Sequence, residues 1–344
     1  MLGTPTSIAR LARWLGPWAD STRSPQVVTE EAMVDGMRVR LYRPRGIPRA
    51  TYLIAPGLHY AGPDDVRMDR FCRILAGAGG HLVVAPFIPA YLALTPNASA
   101  LADFERVFLA LPRWSEARPV VFSISFGSLL AFALAARHGD ALAGLVVFGG
   151  YATFEETLRF CLTGEVASGR TATRDPLNQP VVLMNLLAQL DPPCSDHAAV
   201  TAAWRTYVES TWGRPEMKAR ERFTAAAAAV SVPAHVRGLY DIGVGVTPGA
   251  VDLVRSALTR FDGRALDPTP YLSRIRGRVD LVHGTDDDVI PFEQSHVLAA
   301  QLVNADVKTH ITGLYGHTGA QTPKLSAAAK ELVTMLRVLR VFAR

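Results

Sequence analysis

The sequence has few cysteines and no long apolar run, and both absences narrow the class of protein. Its three cysteines, Cys72, Cys161 and Cys194, lie too far apart for a disulfide framework or a zinc site. They indicate a reducing compartment, so we expect a cytoplasmic protein. No stretch approaches the roughly 20 apolar residues of a membrane-spanning helix. The N-terminus also lacks the basic start and apolar run of a secretory signal, and we predict no transmembrane segment.

Lysine is scarce as well, although the chain carries a net charge of +5. Nearly all of the positive charge is arginine, and the arginines are scattered among acidic residues without a basic run. Such a distribution is typical of a solvated surface, and we predict no nucleic-acid partner. With 344 residues, 49% of them hydrophobic, the chain is long enough for one large domain or a core with an insertion.

Strands and helices alternate over most of the chain. The segments 26–34 and 37–42 flank Asp35-Gly36, a pair that favours a two-residue hairpin turn. Further strands are predicted over 50–55, 81–85, 119–122, 145–148, 279–282 and 307–312, and helices over 64–76, 98–111, 129–137, 292–302 and 324–341. This alternation predicts an α/β fold with a mostly parallel sheet and right-handed crossovers.

Residues 155–270 interrupt the alternation, because they show helical patterns and no buried strand. We therefore predict a core of residues 26–154 and 271–344 with a helical insertion at 155–270. Residues 1–25 are predicted to form an N-terminal helical arm, with Ile8, Leu11, Leu15 and Trp18 on one side. That side packs on its own domain, on a second subunit of a homodimer, or on a membrane surface.

Ser125 lies between a predicted strand and a predicted helix, in the segment V-V-F-S-I-S-F-G-S (120–128). A serine on a strained strand-to-helix turn projects its hydroxyl to where a base can reach it. Such turns follow the pattern small-x-Ser-x-small, supplied here by Ser123 and Gly127. We expect the side chain of Ser125 at the surface of the turn and not in the core.

A serine hydroxyl is a weak nucleophile that needs a base and an acid that orients the base. Both occur at strand ends in the second half of the chain. H-G-T-D-D-D-V-I-P (283–291) follows one strand, and Gly316-His317 follows the next. Ser125, Asp287 and His317 thus occur in the order nucleophile, acid, base.

With these motifs the chain resembles the α/β-hydrolases over roughly residues 26–344. The family pattern G-x-x-D-x-x-hydrophobic-Pro implies that Asp287 is the acid, and its Gly-His pair implies that His317 is the base. The resemblance further implies an oxyanion hole made by the backbone N–H groups of Phe126 and Leu58. Ser123 departs from the pattern, which usually has glycine at that position.

Several alternatives remain open for the polar residues around these motifs. Asp286 and Asp288 could cap the helix that Pro291 is expected to begin. Glu155 or Glu156 could supply the acid, as in some relatives. Histidines and aromatic residues also lie near the motifs. We expect His283 to be packed and His310 to be solvated. The side chains of His59, Tyr60 and Phe154 either line a substrate pocket or serve loop and core structure.

The predicted function is that of a serine hydrolase that cleaves an ester, thioester or related acyl bond of a small, hydrophobic molecule. The reaction needs no metal and no cofactor. The fold also hosts acyltransferases, lyases and non-catalytic binding proteins, which are the alternatives. Because the insertion leaves the sheet at its carboxyl edge, we expect it to form a cap over Ser125.

Overall fold

A computed structural model describes residues 5–313, 315–316, 319–320 and 328–343. The chain divides into two compact units. The first, called the sheet unit, comprises the residues up to 152, residues 266–287 and those from 292 onwards. The second, called the helical unit, comprises residues 153–265 and 288–291.

Eight strands form the sheet of the sheet unit, in the order β1-β2-β4-β3-β5-β6-β7-β8. Their bounds are β1 Val28–Val34, β2 Met37–Arg43, β3 Thr51–Ala55, β4 Leu82–Pro86, β5 Val120–Ile124, β6 Gly144–Phe148, β7 Gly277–Gly284 and β8 Ala305–Thr312. A separate antiparallel pair joins β9, Tyr315–Gly316, to β10, Gly319–Ala320. Strand β2 pairs antiparallel with β1 and β4, whereas the strands from β3 to β8 pair in parallel. This topology is that of the α/β-hydrolase fold, so the predicted fold is confirmed.

The helices are numbered along the chain. Their bounds are α1 Pro5–Leu15, α2 Val66–Ile74, α3 Pro89–Leu92, α4 Ser99–Ala110, α5 Gly127–His138, α6 Phe154–Thr163, α7 Gln179–Leu186, α8 His197–Thr211, α9 Arg220–Ala229, α10 Arg237–Gly243, α11 Ala250–Leu258, α12 Thr269–Leu272, α13 Glu293–Gln301 and α14 Ala328–Phe342. Helices α6 to α11 belong to the helical unit. The sequence did not indicate α3, whose single turn is too short for a periodic pattern.

The β1–β2 hairpin forms where the sequence predicts it. Asp35 and Gly36 adopt φ angles of +47° and +82°, as the two central residues of a type I′ turn require. The central strands are buried on both faces because helices cover the sheet. Alternate residues such as Tyr52 and Ile54 belong to a core with residues of α1, α2 and α14. The intervening Leu53 points to the other face, where α5 contacts β3, β5 and β6.

Helix α1 packs on its own unit, which is one of the three alternatives for the N-terminal arm. Leu11 is fully buried in the core, and Ile8 and Leu15 pack against it. Trp18 does not follow the predicted pattern, because the helix ends at Leu15 and Trp18 is 62% exposed. In the part of the chain that the structure describes, no helix is both long and apolar enough to span a membrane.

The helical unit has its own core of aromatic side chains. Trp204, Tyr207 and Tyr240 are at most 1% exposed, and the indole N–H of Trp204 donates to the carbonyl of Tyr240 at 3.3 Å. Between residues 153 and 265 the only β pairing is an isolated bridge between Glu165 and Thr171. The predicted helical character of this segment is confirmed. Its placement over Ser125 stays a prediction.

His310 differs from its prediction. We expected a solvated side chain, but it is only 8% exposed, with Nε2 3.1 Å from Oδ1 of Asp280. Asp280 lies on the neighbouring strand β7 and is 2% exposed. Burial alone would raise the pKa of this carboxyl, yet its hydrogen bonds to His310 and Arg278 lower it overall. In this buried position His310 supplies the Asp280 carboxylate with a donor beside Arg278.

We predict that His81, which precedes β4, makes the protein acid-sensitive. Its Nε2 lies 2.8 Å from the carbonyl oxygen of Phe342, so Nε2 carries the proton and Nδ1 is bare. Burial lowers the pKa of His81 to about 4. Above pH 6.5 the ring is neutral in both the folded and unfolded states. As the pH falls towards 4, only the unfolded state gains a proton, and up to about 3 kcal/mol of stability is lost.

His81→Gln keeps a donor for Phe342 and removes the titration. Urea unfolding between pH 7 and pH 4 should therefore show a smaller loss of stability in the variant than in the wild type. An identical pH dependence for the two proteins would contradict the assignment.

Candidate active site

Ser125 connects β5 to α5 in a left-handed backbone conformation. Its φ angle is +54°, which residues other than glycine rarely adopt. The N–H of Ser125 donates to the carbonyl of Phe148 at the end of β6, at 2.8 Å. Its carbonyl accepts from the N–H of Ser128 at 3.0 Å. The sharp strand-to-helix turn that the sequence predicts is therefore present.

Gly127 shows why this turn requires a small residue. A Cβ atom at Gly127 would lie 2.2 Å from the carbonyl oxygen of Ala55 and 2.6 Å from that of Pro56. Both contacts are with backbone atoms, which cannot move aside cheaply. Ser123 occupies the other small position and is fully buried, and its hydroxyl has no hydrogen-bond partner among the described residues.

The side chain of Ser125 is less exposed than we expected. Ser125 is only 4% exposed, so the expected position at the surface of the turn is wrong. One reason is the loop after β3, which packs against the turn. A Cβ atom built on Gly57 would lie 3.5 Å from Cβ of Ser125 and 3.2 Å from the carbonyl oxygen of Ile124.

The two predicted oxyanion donors flank this contact. Phe126 directly follows Ser125 and precedes the first residue of α5. Leu58 follows Gly57, in the loop that packs against the serine turn, and is half-buried. The chain therefore has two backbone segments beside Ser125, as an oxyanion hole requires. The role of each N–H group stays a prediction.

His59 is engaged by its own loop. Nδ1 accepts from the N–H of Ala61 at 3.2 Å, and Nε2 lies 3.3 Å from Nη2 of Arg67 and 3.4 Å from the carboxylate of Asp65. Burial lowers the pKa of His59 to about 4. Tyr60 stacks on the His59 ring, with 4.5 Å between the ring centroids. These contacts support loop structure over a place in the pocket for both side chains.

Phe154 belongs to the helical unit and is 1% exposed. Its ring centroid lies 5.8 Å from that of Phe261 in the same unit. Phe154 is thus a core residue of the helical unit. A pocket-lining role stays a prediction.

Asp287 follows β7, and β6 lies between β7 and β5, which leads to Ser125. The carboxyl ends of these parallel strands meet at one edge of the sheet. Asp287 is 6% exposed, whereas Asp286 is exposed. A buried carboxylate requires donors, and His283 provides one contact, with 3.4 Å between Nε2 and Oδ2.

His283 is fully buried, as predicted, but its contacts were not foreseen. Its Nδ1 lies 2.7 Å from the hydroxyl of Ser295 on α13. The histidine thus connects a helix to the loop that carries Asp287. Ser295 and His283 are twelve residues apart, so no local motif indicates the pair.

Two of the other carboxylates named from the sequence form ion pairs elsewhere. The carboxylate of Asp288 contacts Nζ of Lys218, which also lies 3.0 Å from Asp175. Glu155 accepts from Arg159 one helical turn away, at 2.7 Å.

The expected helix cap by Asp286 or Asp288 is wrong, because α13 begins at Glu293, two residues after Pro291, with no side-chain cap.

His317 and Leu314 lie outside the described residues. Glu156 is half-buried in the helical unit. Among the described residues, no group of three or more His, Cys, Asp or Glu side chains could hold a metal ion.

Comparisons with known proteins find similar folds but no matching family. No protein-family model and no curated protein matches the chain. The solved structures that it resembles include an acylaminoacyl peptidase from Pyrococcus horikoshii (11% identity, TM-score 0.46, 93% of this chain and 41% of that chain). Others are a serine hydrolase from Cycloclasticus zankles (15%, 0.45, 93% and 100%) and a 2,6-dihydroxy-pseudo-oxynicotine hydrolase (14%, 0.49, 93% and 68%). The chain thus spans about two fifths of the length of the peptidase.

At these identities the likeness concerns the fold alone. The assignment of the fold depends on the strand order, the antiparallel β2 and the left-handed serine between β5 and α5. By these features the chain has the α/β-hydrolase fold, and the resemblance noted in its sequence motifs is confirmed at that level.

We predict that Gly127→Ala destabilises the protein by more than about 1 kcal/mol, because the added methyl group overpacks against the backbone at Ala55. Gly139 at the other end of α5 is the matched control. A Cβ there meets nothing within 4 Å, and its φ is −52°. Gly139→Ala should be neutral or more stable by about 0.4–1 kcal/mol. Urea unfolding measures both, and equal stabilities for the two variants would contradict the packing argument.

Proposed function

We propose that the protein is a serine hydrolase that cleaves an ester, thioester or related acyl bond of a small, hydrophobic molecule. Ser125 is the nucleophile, His317 the general base and Asp287 the acid that orients the base. The observation that carries the proposal is the left-handed Ser125 between β5 and α5, since a backbone strain of this kind is typical of functional sites.

In the proposed reaction, Oγ of Ser125 attacks the substrate carbonyl carbon while His317 takes the hydroxyl proton. The N–H groups of Phe126 and Leu58 stabilise the negative oxygen of the tetrahedral intermediate. His317 then returns the proton to the leaving group, and an acyl-enzyme forms on Ser125. Water attacks the acyl-enzyme by the same route, which releases the carboxylic acid product and restores Ser125. No metal or cofactor enters these steps.

The burial of Asp287 supports its role as the acid. A carboxylate shielded from water interacts more strongly with an imidazolium than an exposed one does. Asp288 is less suited, because its carboxylate already pairs with Lys218. Glu155 is exposed and paired with Arg159. Among the candidates that the sequence offers, Asp287 thus combines the family position with a buried carboxylate.

We further propose that the helical insertion 155–270 acts as a cap that selects an apolar acyl group. Helix α7 of this insertion supports the choice, because it is rich in buried apolar side chains. They are Val181, Val182, Leu183, Met184 and Leu186. Substrate contacts by Phe154, His59 and Tyr60 stay predictions, although the contacts described above favour core and loop structure for these side chains. A cytoplasmic location and a homodimer, both expected from the sequence, stay predictions.

Ser125→Ala should abolish hydrolysis of p-nitrophenyl acetate, because the nucleophile is lost. The matched control is Ser123→Ala, which removes a buried hydroxyl that has no partner among the described residues. This control should retain most of the wild-type kcat. Turnover by Ser125→Ala at the wild-type rate would exclude Ser125 as the nucleophile. A wild type without any turnover would favour the non-catalytic binding protein.

Asp287→Asn should lower kcat by about 10⁴, as expected when the acid of a serine triad can no longer fix the histidine tautomer. The neighbouring Asp286→Asn alters an exposed carboxyl and should lower kcat by about tenfold at most. Steady-state kinetics with p-nitrophenyl acetate separate the two. A larger loss of kcat for Asp286→Asn than for Asp287→Asn would contradict the assignment of Asp287 as the acid.

A further inference from the structure

The hydroxyl group of Tyr91 donates a hydrogen bond to the backbone carbonyl of Phe126, at 2.8 Å. Tyr91 lies on α3 and is 2% exposed. Phe126 is the residue directly after Ser125. We infer that Tyr91 is a positioning residue that holds the serine turn in its reactive conformation. This inference rests on the proposed function, because it concerns the same site.

The serine turn requires contacts of this kind. A left-handed residue other than glycine costs about 1–3 kcal/mol and persists only where the surrounding structure enforces it. Phe148 holds the backbone on the N-terminal side of the turn, by accepting from the N–H of Ser125. On the C-terminal side the carbonyl of Phe126 accepts from Leu129 at 3.4 Å and from Tyr91 at 2.8 Å. The side-chain bond is the shorter of the two.

Tyr91 is itself held rigidly. Pro89 begins α3, and Leu94 closes the segment with a φ angle of +62° while fully buried. The N–H of Leu94 donates to the carbonyl of Tyr91 at 3.2 Å. Burial raises the pKa of Tyr91 above its usual range, so the hydroxyl keeps its proton and remains a donor. A rigid donor can fix the orientation of the group that it binds.

Both reactive groups of the turn depend on this orientation. Oγ of Ser125 and the N–H of Phe126 lie within one residue of the carbonyl that Tyr91 holds, so a shift of the Phe126 backbone displaces both. Small displacements of reacting groups can lower a rate by about 100-fold. Substrate affinity depends on other contacts and should change little. Loss of the hydroxyl should therefore lower kcat and leave KM nearly unchanged.

Tyr91→Phe tests the inference, because it removes the hydroxyl and keeps the ring. We expect kcat for p-nitrophenyl acetate to fall about 10- to 100-fold, with KM nearly unchanged. Tyr151→Phe is the matched control. Tyr151 is 1% exposed and its ring centroid lies 5.3 Å from that of Phe126. Its hydroxyl, however, donates to the carbonyl of Leu266 at 2.7 Å, away from the turn, so kcat should stay near the wild-type value.

Hydrogen–deuterium exchange of the amides of residues 125–129 gives a second readout that needs no activity. Exchange should be faster in Tyr91→Phe than in the wild type, and unchanged in Tyr151→Phe. Wild-type kcat and wild-type exchange in Tyr91→Phe would overturn the inference, and so would equal losses in the two variants. A further outcome is that neither the wild type nor the variants hydrolyse the ester, while exchange rises only in Tyr91→Phe. That result would support the positioning of the turn by Tyr91 and contradict the proposed function.

Discussion

The left-handed backbone of Ser125 is the constraint on which the proposed site depends. It turns the chain from β5 into α5 within a few residues and separates the side chain from both elements. The conformation requires support from three directions. The end of β6 binds the N–H of Ser125, the loop after β3 packs against Gly127, and α3 binds the carbonyl of Phe126 through Tyr91. Strain at one residue is therefore offset by packing and hydrogen bonds from three other segments.

The acid side of the proposed site depends on burial of charge. Asp287 lies in a loop that begins where β7 ends, and its carboxylate is shielded from water. His283 and Ser295 connect this carboxylate to α13. The neighbouring Asp288 forms an ion pair with Lys218. Three successive aspartates thus have different surroundings: Asp286 is exposed, Asp287 buried near a histidine and Asp288 paired with a lysine. These surroundings distinguish residues that the sequence alone separates only by motif position.

The sequence predicts the fold well because its signals are local. The Asp35-Gly36 turn, the apolar strands and the small residue at Gly127 each follow from the conformations that those residues allow.

Long-range polar contacts have no such signal in the sequence. Tyr91 meets Phe126 across 35 positions, and His310 meets Asp280 across a strand pair, so neither contact was foreseen. The low exposure of Ser125 was missed for the same reason, since the loop at Gly57 packs against it only in the folded chain.

The central claim is that Ser125 is an activated nucleophile. The most direct measurement is the mass of the intact protein after treatment with a fluorophosphonate, followed by fragmentation of the peptide that contains residues 119–137. The account predicts a single adduct, located on Ser125 and absent when the protein is unfolded in urea before treatment. An unmodified native protein, or an adduct on Ser123, Ser128 or a residue outside this peptide, would contradict it.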